Sequence, residues 1–138
     1  MSAFKKNYLL LLLAINLVGF SHAQNNQSSS LELILFEMTQ HNIYESSSLG
    51  IAGIASAQYK RYLQMKKLTT SKLLLHYAAN HHNAVVRLYA LKALKEENTE
   101  ISASVKQQFN NDSSSVHIFI GCINDIKKAS TVAALYIY

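Results

Sequence analysis

The sequence contains no proline and no tryptophan, one cysteine and four glycines. A lone cysteine cannot close an internal disulfide, which excludes a disulfide-stapled miniprotein. Charged residues make up 15% of the chain and apolar residues 49%, the reverse of a disordered composition. The absence of proline removes the strongest helix breaker, and the abundance of Leu, Ala, Ile and Lys favours helix. Catalytic signatures are missing too: there is no Gly-x-Ser-x-Gly, Ser-x-x-Lys, His-Glu-x-x-His or phosphate-cradling glycine loop. The acids Glu96, Glu97 and Glu100 sit together without a histidine in a local motif. The expectation is a non-enzyme of 138 residues with no catalytic residues, no cofactor and one main domain.

What is present begins with Lys5 and Lys6, followed by an apolar run from Tyr8 to Phe20 and then Ser21-His22-Ala23. A basic start, a short apolar core and small residues before the cut are the layout of a secretory signal peptide over residues 1–23, cleaved after Ala23. The run is too short for a membrane anchor: 13 residues rise ~20 Å, against a hydrocarbon core of ~30 Å. The mature chain is therefore expected outside the cytoplasm, secreted or periplasmic. Losing Lys5 and Lys6 takes the basic count from 13 to 11 against 8 acids, so the net charge falls from +5 to +3. The remaining cations are scattered or paired, with no glycine-rich or aromatic motif between them, and no nucleic-acid partner is expected.

No later segment reads as a membrane span. The most apolar stretch, Val116 to Tyr138, is interrupted by Asp125, Lys127 and Lys128, each costing ~3 kcal/mol near a bilayer centre. It reads as core, with Cys122 as a buried thiol acting as a small hydrophobe. Residues 24–30 form a polar linker and residues 31–67 the N-terminal helices. Leu31, Ile34, Leu35 and Met38 are spaced for a first helix to about His41, Asn42 to Ser48 for a cap or turn, and Leu49 to Lys67 for a second helix.

From Leu68 the pattern sharpens. Thr70 or Ser71 can cap a helix carrying Leu73, Leu74, Leu75, Tyr77 and Ala78. His81-His82 ends it, and Asn83 can cap a second helix, Ala84 to about Glu97, rich in Val85, Val86, Leu88, Tyr89, Leu91 and Leu94. The two make an antiparallel hairpin that cannot bury its apolar surface alone. Asn80 to Leu94 (NHHNAVVRLYALKAL) resembles the turn and second helix of a HEAT repeat, above all the short HEAT-like units of bacterial proteins. Many members of that family have Pro where this chain has Ala84, and an acid in the turn where it has His82 or Asn83.

The resemblance implies an all-α, short HEAT-like helical-hairpin solenoid over residues 68–138, with 68–97 the best repeat and 98–138 a degenerate one. Its structural positions are Asn83, Val86, Arg87, Ala90, Leu91 and Leu94. Ala90 and Ala93 suit a close helix approach. Arg87, near an unfavourable dipole end, should reach the preceding helix's carbonyls or a neighbouring repeat. A thirty-residue shift sets His82 on Asp112, Asn83 on Ser113, Val86 on Val116 and Tyr89 on Phe119.

The expected function is an exported, non-catalytic scaffold for a protein partner. The alternative is a small envelope protein that binds a metal or ligand at His81-His82. Against a metal, His76 and His81 are not spaced i, i+4, adjacent His81 and His82 point apart, and no acid is nearby to complete a set. The apolar end Val132 to Tyr138 suggests missing repeats, an exposed partner site, or a homo-oligomer joined there.

Overall fold

A computed structural model of the chain describes residues 28–138. The signal-peptide reading of residues 1–23 therefore lies outside the described residues. The chain divides into two compact units, Met1–Leu33 and Ile34–Tyr138. All elements below belong to the second unit, except the beginning of the first helix.

The order is helix α1 (28–41), strands β1 (Ile43–Leu49) and β2 (Ile54–Ala55), and helices α2 (Ala57–Leu68), α3 (Ser71–Asn80), α4 (Ala84–Glu96) and α5 (Ala103–Asn110). Strands β3 (Ser115–Gly121) and β4 (Ile123–Lys128) follow, and helix α6 (Ala129–Ile137) ends the chain. The four strands form one sheet in the order β2-β1-β3-β4. Its centre is the parallel pair β1 and β3, and each flank is antiparallel.

This mixed α/β sheet overturns the all-α solenoid. Within the expected second repeat, 98–138, the β3–β4 hairpin stands between α5 and α6, where a second helix was expected from the shifted register. The physical cause is in Val116-His117-Ile118-Phe119-Ile120. Five β-branched, aromatic or imidazole side chains in succession favour a pleated strand, and burial alternates, with Val116 and Ile118 inside and His117 outside. Asn42–Ser48 is likewise not a turn. Its serines lie in β1, in the irregular stretch between the Glu45–Phe119 and Leu49–Gly121 pairs with β3, and Ser48 pairs with Ala55 of β2. The second helix begins at Ala57 and not at Leu49, because Ser56 caps it by accepting from the Tyr59 amide and Gly50 takes φ +67 in the turn before it. Gly121 (φ +58) turns the β3–β4 hairpin, and its carbonyl accepts from the Gly50 amide at 2.7 Å, tying the two turns together.

The hairpin α3–α4 occupies residues 71–96 with the three-residue turn 81–83 between its helices. Thr70 caps α3 by accepting from the Leu73 amide, and Asn83 caps α4 by accepting from the amides of Val85 and Val86. Helix α4 is apolar on nearly every side and runs through the middle of the core, packed on α3, α6, β1 and α2. Strand β4 is exposed along its whole length. Cys122 is exposed as well, which corrects the reading of Val116–Tyr138 as continuous core with a buried thiol. Among the described residues, no helix is long and apolar enough to cross a membrane.

Candidate functional site: a tyrosine-walled pocket around Lys92

Polar side chains converge where β1, α2, α4 and α6 meet. Helix α4 supplies Tyr89, Lys92 and Glu96, spaced i, i+3, i+7 and so on one stripe of the helix. Helix α2 supplies Tyr59 and Tyr62 from successive turns, β1 supplies Tyr44, and α6 supplies Tyr136. The rings form a continuous cluster. Tyr44 lies 4.5 Å from Tyr89, Tyr89 stacks on Tyr62 at 5.1 Å, and Tyr62 meets Tyr59 at 5.2 Å, all between ring centroids. The hydroxyls of Tyr44 and Tyr136 are hydrogen-bonded to each other.

The Lys92 ammonium sits within this cluster, 5.7 Å from the centroids of Tyr59 and Tyr62 and 5.6 Å from that of Tyr136. All three distances are in the range where a cation is attracted to a ring face. Glu96 completes the arrangement. Its Oε1 pairs with Lys92 at 2.9 Å, and its Oε2 accepts from Lys66 at 2.9 Å and from the Tyr62 hydroxyl at 2.5 Å.

The protonation states follow from these contacts. Burial alone would raise the Glu96 carboxyl, but hydrogen bonds from Tyr62, Lys66 and Lys92 outweigh it and hold it at about 2. Burial would lower Lys92, and the bond to Glu96 and the tyrosines around it reverse that to a net rise. Tyr44, Tyr62 and Tyr89 are all raised above the ordinary phenol value, with burial the foremost cause. At neutral pH Lys92 is therefore an ammonium, Glu96 a carboxylate, and Tyr44, Tyr62 and Tyr89 neutral phenols. A lysine whose ammonium form is favoured in this way is a weaker nucleophile and base than a free one.

A pocket of about 190 Å³ opens beside Lys92, lined by Tyr44, Glu45, Ser46, Ser47, Tyr59, Lys92, Ile120, Leu135 and Tyr136. Ser46 and Ser47 come from the second half of β1 and Ile120 from the end of β3. The pocket thus lies toward the carboxyl ends of the parallel pair, the position where open α/β sheets commonly receive ligands. The chain matches no family model, no curated protein and no solved structure. The reading of the site rests on its own geometry.

The positions singled out from the sequence lie elsewhere. Val86, Ala90, Leu91 and Leu94 are wholly buried in α4. Asn83, besides capping α4, donates through Nδ2 to Asn42 Oδ1 at 2.8 Å, linking the turn to the start of β1. Arg87 donates through Nη1 to the carbonyls of His81 (2.8 Å) and His82 (3.0 Å), and through Nη2 to Asp112 at 2.5 Å. It therefore clamps the α3–α4 turn to the loop entering β3.

His81 and His82 do not point apart: their rings stack at 4.5 Å. The Nδ1 of His81 accepts from the Asn83 amide, and burial followed by the neighbouring His82 lowers His81 below the ordinary imidazole value. Among the described residues no group of three or more His, Cys, Asp or Glu could hold a metal ion.

In sequence Tyr89 reads as one of the apolar residues of α4, and Glu96 as one of three clustered acids without a histidine. The stripe of Tyr89, Lys92 and Glu96 was detectable by spacing alone. Tyr44 and Tyr136 are 92 positions apart, and no sequence signal joins them.

Proposed function

We propose that the protein is a non-catalytic binding protein acting outside the cytoplasm, and that it captures a protein partner at the pocket beside Lys92 and the apolar rim around it. One observation carries this reading: a small polar-floored pocket opens among large exposed aliphatic side chains. About 190 Å³ is below the ~300–1,000 Å³ of pockets that enclose cofactors and drug-sized ligands. It is a suitable size for one anchoring side chain of a partner, the arrangement by which protein interfaces concentrate their affinity.

The rim supports the same reading. Leu135, at 65% exposed, lines the pocket, and Ile123, at 61%, is directly paired with the pocket residue Ile120. Leu49 connects this end of the sheet to a second pair of exposed residues, since it pairs with both Gly121 and Ile54 and leads into Ile51. Exposed apolar side chains grouped around a concave polar centre are the anatomy of a protein interface, with Lys92 and the tyrosine hydroxyls fixing orientation. Export is supported by the basic, apolar and small-residue layout of residues 1–23.

The test uses two baits, the wild-type protein and the double variant Ile123→Lys, Leu135→Lys, presented to an extract of the compartment outside the cytoplasm. Both positions are exposed, so the variant should melt with the wild type. A protein held by the wild type and depleted at least about tenfold on the variant is the expected result, corresponding to a loss of about 1.4 kcal/mol. Identical sets of retained proteins on the two baits would refute the reading.

A further inference from the structure

Strand β4 lies at the edge of the sheet, and on its outward side no other described strand covers it. All six of its residues are exposed. Proteins commonly blunt such edges with charged side chains, lysine above all, and β4 carries Lys127 and Lys128. Here the central residues are Asp125-Ile126-Lys127, an acid and a base flanking an isoleucine that is 67% exposed. Within one chain Asp125 and Lys127 pair with each other at 2.5 Å on the surface.

We propose that two copies of this chain associate through their β4 edges, antiparallel about a two-fold axis at Ile126, so that the two sheets become one of eight strands. A two-fold axis normal to a sheet passes through a residue that faces its own copy, which leaves few registers to compare. Centring on Asp125 sets two acids face to face. Centring on Lys127 sets two ammonium groups face to face. Centring on Ile126 puts each Asp125 opposite the other copy's Lys127, twice by symmetry, with Asn124 opposite Lys128. Opposite charges directly across an antiparallel ladder stabilise it, and like charges do the reverse. The same register brings the exposed Ile126 against its counterpart. On each side that row continues through His117 to Ile43, the residues in register with Ile126 across β3 and β1.

A six-residue edge offers less than the ~1,200 Å² of a long-lived interface, so the dimer is a concentration-dependent one, with a dissociation constant of about 10–100 µM. The dimer centres on Ile126 and shares only Ile123 with the pocket rim, so changes at Asp125 and Lys127 test it without altering the rim.

Sedimentation velocity of the purified protein over a concentration series tests the proposal. The wild type is expected to shift toward twice the monomer mass. Asp125→Lys and Lys127→Asp should each weaken association about tenfold or more, because each sets like charges opposite one another twice. Mixing the two variants in equal amounts restores complementarity, since one strand is then wholly basic and the other wholly acidic at these positions, and heterodimers should return. As a second measurement, Ile126→Cys in a Cys122→Ser background should form a disulfide-linked dimer under mild oxidation. A wild type that remains monomeric near 500 µM, well above the ~100 µM limit, would overturn the proposal. So would a dimer indifferent to both charge changes, or one in which the cysteine at 126 fails to cross-link.

Discussion

Tyr89 shows how a helix can do the work of a missing strand. Strand β1 pairs with β3 on one side, but on the other β2 reaches only Ser48 and Leu49. At Glu45 the backbone amide and carbonyl are bonded instead to the Tyr89 hydroxyl, which accepts from the amide at 2.9 Å and donates to the carbonyl at 2.8 Å. Tyr89→Phe keeps the ring, its stacking on Tyr44 and Tyr62, and nearly all its volume. It removes both bonds at a site that is closed to water, because Tyr89 is 0% and Glu45 6% exposed. Each orphaned backbone group costs about 1–3 kcal/mol, so the variant should lose about 2–6 kcal/mol of stability. For a domain of this size that corresponds to a fall in melting temperature on the order of 10 °C. Urea denaturation gives the free energy, and amide hydrogen exchange at Glu45 gives the local effect. The m value should remain unchanged, because the surface exposed on unfolding is the same. A loss below about 0.5 kcal/mol, or unchanged exchange at Glu45, would refute the bridging role of the hydroxyl.

Four further outcomes follow from the same geometry. Arg87→Lys should destabilise by about 2–3 kcal/mol in the same denaturation assay, since one ammonium cannot serve two carbonyls and Asp112 together; equal stability would show the clamp to be dispensable. The Glu96 carboxyl is held at about 2, below its ordinary value of 4.5. Its stabilisation is therefore present above pH 4.5 and is lost as pH falls toward 2. With the side chain 35% exposed, solvent screening reduces this to about 1 kcal/mol. Glu96→Gln should flatten that part of the stability profile, and an unaltered profile counts against the Lys66–Glu96–Lys92 arrangement. Gly121→Ala should cost about 1–2 kcal/mol by calorimetry, because an L side chain is strained at φ +58, and a neutral result would mean the hairpin turn can rearrange. Cys122 should react in full with a thiol reagent in the native protein, and protection until unfolding would contradict its exposure at the turn.

Local chemistry made the capped helices legible. Thr70 and Asn83 offer side-chain oxygens to first-turn amides a few residues away, and such bonds need nothing from the rest of the chain. The reach of Arg87 toward carbonyls of the preceding turn is local in the same sense, since His81 and His82 lie within six residues of it. Where the partner is distant, local pattern and structure diverge. The thirty-residue echo of α4 in Val116–Phe119 preserved the order of apolar residues, but that order suits a strand as well as a helix over so few positions. Serines in β1 signalled a turn because they favour local bonds when nothing else is offered.

Contacts between neighbours along the chain are enough to settle the helical hairpin and its caps, and composition alone sets an apolar content that demands burial and the charge pattern of β4. Tertiary structure alone decided the sheet and the pocket. The pairing of β1 with β3 joins residues some 70 positions apart, as at Tyr44 and Ile118. Tyr44 and Tyr136 meet only because that sheet brings β1 beneath α4 and α6. Backbone hydrogen bonds and ring contacts of this kind depend on distance in space, and residue spacing along a chain encodes that distance within a helix or a strand but not across a fold.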